Sequence, residues 1–201
     1  METNNSLRLI GRAVGEPEYD HTVYGEAFFR LTVSAVRLSG AEDVLPVTVS
    51  ERLLPEIGSF DGARLGVEGQ IRSYNRHGEG GSRLIITAFA RELFLPEDSG
   101  TDVNEVELSG HICKPVIYRT TPFSREIADI ILAVNRRYGK SDYLPAIAWG
   151  RNARFAESLI PGDTVMLRGR LQSRAYQKTL PDGIIEQRTA YEISCSSIEK
   201  I

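Results

Sequence analysis

Only two cysteines occur in the 201 residues, Cys113 and Cys195, and no Cys-x-x-Cys is present, so neither a disulfide framework nor a zinc site is indicated. Each sits among strand-like residues and reads as a small core side chain. Histidine is scarce too: His21, His77 and His111 lack ligand-like spacing. No apolar run approaches the ~20 residues a membrane helix needs. The start, Met1-Glu2-Thr3-Asn4-Asn5, is acidic and polar where a secretion signal is basic and then apolar. With no signal and no disulfide pattern, a cytoplasmic protein is expected. No nucleophile–base set or carboxylate metal cluster stands out, so neither an enzyme nor a cofactor or metal site is expected. Gly78-Glu79-Gly80-Gly81 lacks the Lys-Ser/Thr ending and following helix of a phosphate loop and reads as a hairpin tip; Leu180-Pro181-Asp182-Gly183 reads as a turn.

A large excess of either charge is lacking, and what charge there is lies unevenly. The chain carries a net −3. Residues 1–100 hold 10 Lys+Arg against 15 Asp+Glu, a net −5; residues 101–201 hold 14 against 12, a net +2. A polyanion responds to a local stripe rather than to the average, so nucleic acid stays open as a partner of the second half. Hydrophobic residues make up 41%, enough for one large core or two small ones.

The chain repeats itself. Leu9-Ile10-Gly11 recurs as Leu108-Ser109-Gly110, and Ala35-Val36 as Ala133-Val134. Asp43-Val44-Leu45-Pro46 recurs as Asp142-Tyr143-Leu144-Pro145, and Glu68-Gly69-Gln70-Ile71-Arg72-Ser73 as Arg168-Gly169-Arg170-Leu171-Gln172-Ser173. Four ordered matches at a nearly constant offset imply two copies of one domain, residues 1–95 and 103–201, joined by a short polar linker at 96–102. In the second copy, Val106–Gly110, Ile127–Val134, Tyr143–Trp149, Thr164–Ser173 and Ile185–Ile193 read as strands. Ala153, Ala156 and Leu159 recur at helical spacing, stopped by Pro161-Gly162. Five strands with a helix between the third and fourth is the order of an OB barrel. The expected fold is all-β with short helices: two tandem five-stranded OB barrels, the helix of the first shortened by Pro55.

Four segments in the second copy carry a family resemblance. They are Leu108-Ser109-Gly110, Leu132 through Tyr138 (LAVNRRY), Ala148-Trp149-Gly150-Arg151, and Arg168 through Tyr176 (RGRLQSRAY). In the first copy, Leu9-Ile10-Gly11-Arg12, Glu16-Pro17-Glu18 and Val67-Glu68-Gly69-Gln70-Ile71 match more loosely. The chain resembles the bacterial single-stranded DNA-binding protein family. The resemblance implies four base-stacking positions on the barrel surface, which fall here on Tyr138, Tyr143, Trp149 and Tyr176. In the first copy those places are Ser39, Val44, Ser50 and Arg76, none aromatic.

Strand alternation points to the same face. Tyr143, Pro145, Ile147 and Trp149 share one side of their strand, and Leu144, Ala146 and Ala148 the other. From Val165 onward the inward set is Val165, Leu167, Gly169, Leu171 and Ser173; the outward set is Met166, Arg168, Arg170, Gln172, Arg174 and Tyr176. Arg136, Arg137 and Lys140 flank Tyr138, and Arg151 follows Trp149. Aromatic faces accept any base, and guanidinium groups meet phosphates. Tyr74, in the place of Arg174, is expected to face outward, whereas Phe28, Phe29, Phe89 and Phe94 read as core.

The resulting expectation is a non-enzymatic, largely sequence-independent single-strand binder of replication, recombination or repair, nucleoid-associated. The second barrel would bind DNA and the first would be structural or an assembly surface. Family members usually assemble four barrels, so two copies of this chain would form a homodimer. The family commonly ends in an acidic recruiting tail; this sequence ends Ser196-Ser197-Ile198-Glu199-Lys200-Ile201, so recruitment of replication or repair proteins by that route is not expected. The rival readings are a primosome-like protein-interaction scaffold anchored on the same aromatics, and an RNA-binding OB protein.

Overall fold

A computed structural model describes residues 4–78, 81–97, 100–180 and 183–201, without the side chains of His77, Ser82 and Tyr138. The readings placed on Glu79-Gly80, Pro181-Asp182 and the Tyr138 ring lie outside the described residues.

The first half forms strands β1 (Asn5–Ala13), β2 (Glu18–Val23), β3 (Glu26–Val36), β4 (Glu42–Ser50), β5 (Arg64–Gly78) and β6 (Gly81–Phe94). The second forms β7 (Val103–Ile112), β8 (Ile117–Thr120), β9 (Glu126–Asn135), β10 (Ser141–Trp149), β11 (Thr164–Thr179) and β12 (Ile185–Lys200). Each half closes on itself in the order of an OB barrel. β1 pairs with β3 and β5, β4 with β3 and in parallel with β6, and β6 with β5. β7, β9, β10, β12 and β11 repeat that circuit. Beyond the five barrel strands, β2 and β8 fold back as hairpins on the first parts of β3 and β9.

Alternation builds both cores. Leu7 and Leu9 of β1, Leu31 and Val33 of β3, and Leu45 and Val47 of β4 are buried, as are Leu108, Leu132, Leu144 and Leu167 in the second barrel. The repeated glycines mark places where strands cross closely. A Cβ on Gly69 would lie 2.1 Å from the Phe89 carbonyl oxygen, and one on Gly169 2.1 Å from that of Ser194. Both stand beside β-bulges that let the long strands curl. The helix between the third and fourth barrel strands is α1 (Arg151–Glu157), whose Ala153 and Ala156 close the barrel end. In the first barrel that place holds only a 3-10 turn at Glu51–Leu53, before Pro55. Cys195 is buried and Cys113 half-buried; burial pushes the Cys195 thiol up to about 12, so it stays protonated at neutral pH.

The barrels join through β1 and β7, which run antiparallel with Leu7 opposite Val106. Those two residues occupy the same place in their copies, so a pseudo-twofold axis passes through the pair. Asn5 pairs with Leu108, and its counterpart Asn104 with Leu9. Each asparagine clamps the N–H and C=O of one residue of the neighbouring strand in its own barrel. The Asn5 amide donates to the Ile71 carbonyl at 2.8 Å and its oxygen accepts the Ile71 N–H at 2.9 Å. Asn104 does the same to Leu171 at 2.7 and 3.0 Å. Through Asp102, which accepts from Arg64 at 2.6 Å and from the Val36 N–H at 2.9 Å, the end of the linker is tied to the first barrel.

Candidate nucleic-acid interface

β10 presents two aromatics outward. Tyr143 is 52% exposed and Trp149 41%, while Leu144, Ala146 and Ala148 between them fill the interior. The two rings belong to one strand face six residues apart, about 20 Å at ~3.3 Å per residue. Pro145 lies half-buried between them, and Ile147 on the same face is covered. Tyr176 is half-buried on the far stretch of β11, opposite Arg188 of β12.

The arginines expected beside these rings are mostly engaged with carboxylates. Arg168 donates to Glu107 at 2.6 Å and to Glu199 at 3.1 Å, and these two partners raise its pKa. Arg174 donates to Glu192 at 3.1 Å, which raises its pKa as well. Two others sit in the seam between barrels rather than on the face they share in sequence. Arg136 bonds Asp142 at 2.6 Å through Nε and the Ser73 carbonyl at 2.8 Å through Nη2. Arg170 lies 3.7 Å from Asp43 and donates to Gln172 at 3.2 Å; burial lowers its pKa. Asp43 and Asp142 are fully buried, and each holds a second arginine, Arg37 at 2.5 Å from Asp43 and Arg72 at 3.1 Å from Asp142; either seam arginine turning to a phosphate would give up its own pair with a buried carboxylate. Arg137, Lys140 and Arg151 are exposed and have no ion pair among the described residues. They are the cations of this set available to a polyanion.

The first barrel differs from its expected character. Ile86, Ala88 and Ala90 of β6 point inward, so Phe89 points out; Leu31, Val33 and Ala35 of β3 do the same for Phe28. Phe28, Phe29, Phe89 and Phe94 are all half-buried; of the four, Phe29 packs against the core as expected. The His21 ring stacks on Phe28 with centroids 5.2 Å apart and planes 10° apart. Phe28 leans on Phe89 at 5.9 Å, and the Arg72 guanidinium lies 6.0 Å from the Phe89 centroid. Phe29 meets Tyr19 edge-on at 6.1 Å, and Phe94 covers Gly66, where a Cβ would meet its ring at 2.2 Å. Tyr74 faces outward, 48% exposed. A groove of about 1250 Å³ runs between this face and the β9–β10 hairpin of the second barrel. Tyr74, Arg76, Phe89 and Arg91 line one side, Arg137 and Lys140 the other. Sequence reasoning missed this face because Phe28 and Phe89 stand in apolar strands; counting alternation from Leu31 and Ala88 would have turned both outward.

Closed five-stranded barrels with an outward row of exposed aromatics and unpaired cations define a class of oligonucleotide-binding OB proteins. Residues 103–201, the second barrel, match the Single-strand binding protein family. A Single-stranded DNA-binding protein from Deinococcus radiodurans is 26% identical over 98% of this chain and 75% of its own length. A Single-stranded DNA-binding protein 1 from Staphylococcus aureus is 31% identical over 48% of this chain and 60% of its own length. The crystal structure of wild-type single-stranded DNA binding protein from Thermus aquaticus superposes with a TM-score of 0.77 at 23% identity, covering 98% of this chain and 92% of the other. That last likeness shows a shared tandem-barrel fold. No helix among the described residues is long and apolar enough to cross a membrane.

Proposed function

We propose that this protein binds single-stranded DNA without catalysing a reaction, by stacking bases on the outward aromatics of its second barrel. The observation that carries the reading is the exposure of Tyr143 and Trp149 on one face of β10, over an interior packed by Leu144, Ala146 and Ala148. Aromatic rings held outward on a rigid strand cost the ligand no ordering of the protein. Tyr176 extends the track, and Arg137, Lys140 and Arg151 supply phosphate contacts. Each stacked base is worth ~1–3 kcal/mol whatever its identity, so sequence preference is weak. Such a protein coats strands exposed in replication, recombination or repair in the cytoplasm, at the nucleoid. Two copies form a homodimer of four barrels; a strict monomer at micromolar concentration in analytical ultracentrifugation would count against that part.

The test is fluorescence anisotropy of labelled oligo-dT at rising protein concentration, at low and high salt, with oligo-U of equal length beside it. Binding of oligo-dT that weakens with salt, and stronger than that of oligo-U, supports the reading. No binding of oligo-dT at low salt overturns it, and stronger binding of oligo-U moves the protein to RNA.

A further inference from the structure

A second cavity, of about 760 Å³, lies at the Asp43 end of the seam. Its walls come from both barrels and from the linker: Arg12, Arg37 and Arg64 from the first barrel, Arg170 from the second, and residues 100–102 between them. Its size falls within the ~300–1,000 Å³ of small-ligand sites.

The charge in this cavity is one-sided. Four arginines meet two carboxylates, Asp43 and Asp102, a net +2 in a chain that is net −3. Both carboxylates are already engaged. Asp43 holds Arg37 and accepts the Ser173 N–H, and Asp102 holds Arg64 and accepts the Val36 N–H. Arg12 is exposed, donates to the Gly62 carbonyl at 3.1 Å and has no ion pair among the described residues. Two further guanidinium groups are short of partners. At the other seam aspartate, Arg72 donates to Asp142 at 3.1 Å, whereas Arg170 stops 3.7 Å from Asp43. The Nε of Arg170 is buried with no hydrogen-bond partner among the described residues, and so is the Nε of Arg64. Burial lowers the Arg170 pKa, and the charge of Arg37 lowers it further. Like charges gathered in a partly buried site repel, and an oxyanion set among them relieves that repulsion.

The lining also says what kind of anion fits. No aromatic ring lines the cavity among the described residues, so it has no platform for stacked bases. Thr101 and Asp102 form one wall, pinned by Arg64 at 2.8 and 2.6 Å. Val36 and Leu38 are the exposed apolar residues of the lining. We propose that this cavity binds a small polyphosphate anion, free or as the tail of a nucleotide, on Arg12, Arg37, Arg64 and Arg170. Guanidinium groups meet phosphate oxygens through paired N–H bonds, and four of them around one cavity suit more than one phosphoryl group. The site is separate from the β10 aromatics and does not depend on DNA binding. Its arginines belong to both barrels and Arg64 also holds the linker, so the bound anion ties the three together.

The full chain is taken to equilibrium dialysis with labelled inorganic pyrophosphate and, separately, with adenosine triphosphate, in a buffer free of phosphate and divalent cations. A single site per chain is expected. Arg12→Ser removes an exposed cation, and Arg170→Gln installs the residue found at the equivalent place in the first copy, Gln70. Each is expected to weaken pyrophosphate binding about 10-fold or more, the loss of a hydrogen bond between charged groups. Lys114→Ser removes a cation that is also exposed and without an ion pair among the described residues but lies outside the cavity, and is expected to bind as the wild type does. Should Arg170→Gln fail to fold by circular dichroism, Arg12→Ser decides. Tighter binding of adenosine triphosphate than of pyrophosphate assigns the anion to a nucleotide's tail; equal or weaker binding assigns it to the free anion. No binding of either, equal binding by the wild type and Arg12→Ser, or displacement of the anion by saturating oligo-dT overturns the site. None of these results bears on stacking at Trp149, which its own fluorescence reads.

Discussion

The buried carboxylate of Asp142, in the second barrel, accepts the Ser73 N–H of the first at 2.5 Å. Its counterpart Asp43, in the first barrel, accepts the Ser173 N–H of the second at 3.0 Å. The seam is thus made twice, once in each direction. The surrounding arginines preserve this by exchanging places. Gln70 and Arg72 stand where the second copy has Arg170 and Gln172. In each copy the arginine bonds its glutamine neighbour and faces the other barrel's aspartate, Arg72 at 3.1 Å from Asp142 and Arg170 at 3.7 Å from Asp43. Two halves that have diverged in charge have kept one interaction by moving it two residues along the strand.

Removing Asp142 leaves Arg72 and Arg136 in the seam without their carboxylate and the Ser73 N–H without its acceptor. Asp142→Ala is expected to lower stability by roughly 3–5 kcal/mol, the cost of breaking a buried pair from one side. Urea denaturation followed by circular dichroism measures it. A midpoint equal to that of the wild type contradicts this view of the seam.

The asparagine clamps give a smaller effect. Asn5→Ala strands the Ile71 peptide at a buried site, and Asn104→Ala does the same for Leu171. Each substitution is expected to cost about 1–3 kcal/mol. Leucine in either place fills the volume without restoring the hydrogen bonds, so Asn5→Leu should recover little in the same denaturation experiment.

Acid should loosen the entry to β5. Glu16 accepts from the Ser59 hydroxyl at 2.6 Å and from the Phe60 N–H at 3.0 Å, and these bonds lower its pKa from 4.5, the hydroxyl most. A folded pKa below the unfolded one means the contribution is complete above pH 4.5 and is lost as pH falls through the folded value. Glu16→Gln should therefore flatten the fall in thermal midpoint below pH 4.5. An unchanged acid limb would show that Glu16 plays no part in it.

Two of the arginines expected to contact DNA should behave differently. Arg151 follows Trp149 closely and is exposed with no ion pair among the described residues, whereas Arg168 is shared between Glu107 and Glu199. Arg151→Ser should reduce the salt slope for oligo-dT by about 0.7, and Arg168→Ser should leave it unchanged. Equal losses would mean that Arg168 leaves its carboxylates for the strand.

Much of the fold is legible from the chain because its signals are local. Leu144, Ala146 and Ala148 alternate with Tyr143 and Trp149, and that pattern alone assigns the faces of β10. The repeated Asp43-Val44-Leu45-Pro46 and Asp142-Tyr143-Leu144-Pro145 reveal two copies. What they do not reveal is that each aspartate accepts a hydrogen bond from the other barrel, since Ser73 and Ser173 are far away in sequence. Arg170 looks like a phosphate contact for the same reason: on its strand it continues a basic stripe, and only the partner barrel shows Asp43, the carboxylate it faces, whereas Arg136 turns to Asp142 of its own barrel and to the Ser73 carbonyl of the other. Phe28 misleads differently. It precedes Phe29 in an apolar strand, and only the depth of Leu31 and Val33 fixes which of the pair points out.

The central claim, that a strand stacks on the β10 face of the second barrel, is tested most directly by the single Trp149. Titration of the full chain with oligo-dT at low salt should quench its fluorescence, and added salt should restore it in step with loss of binding. Binding of the oligonucleotide without any change at Trp149 would contradict the account, because the strand would then lie on another surface.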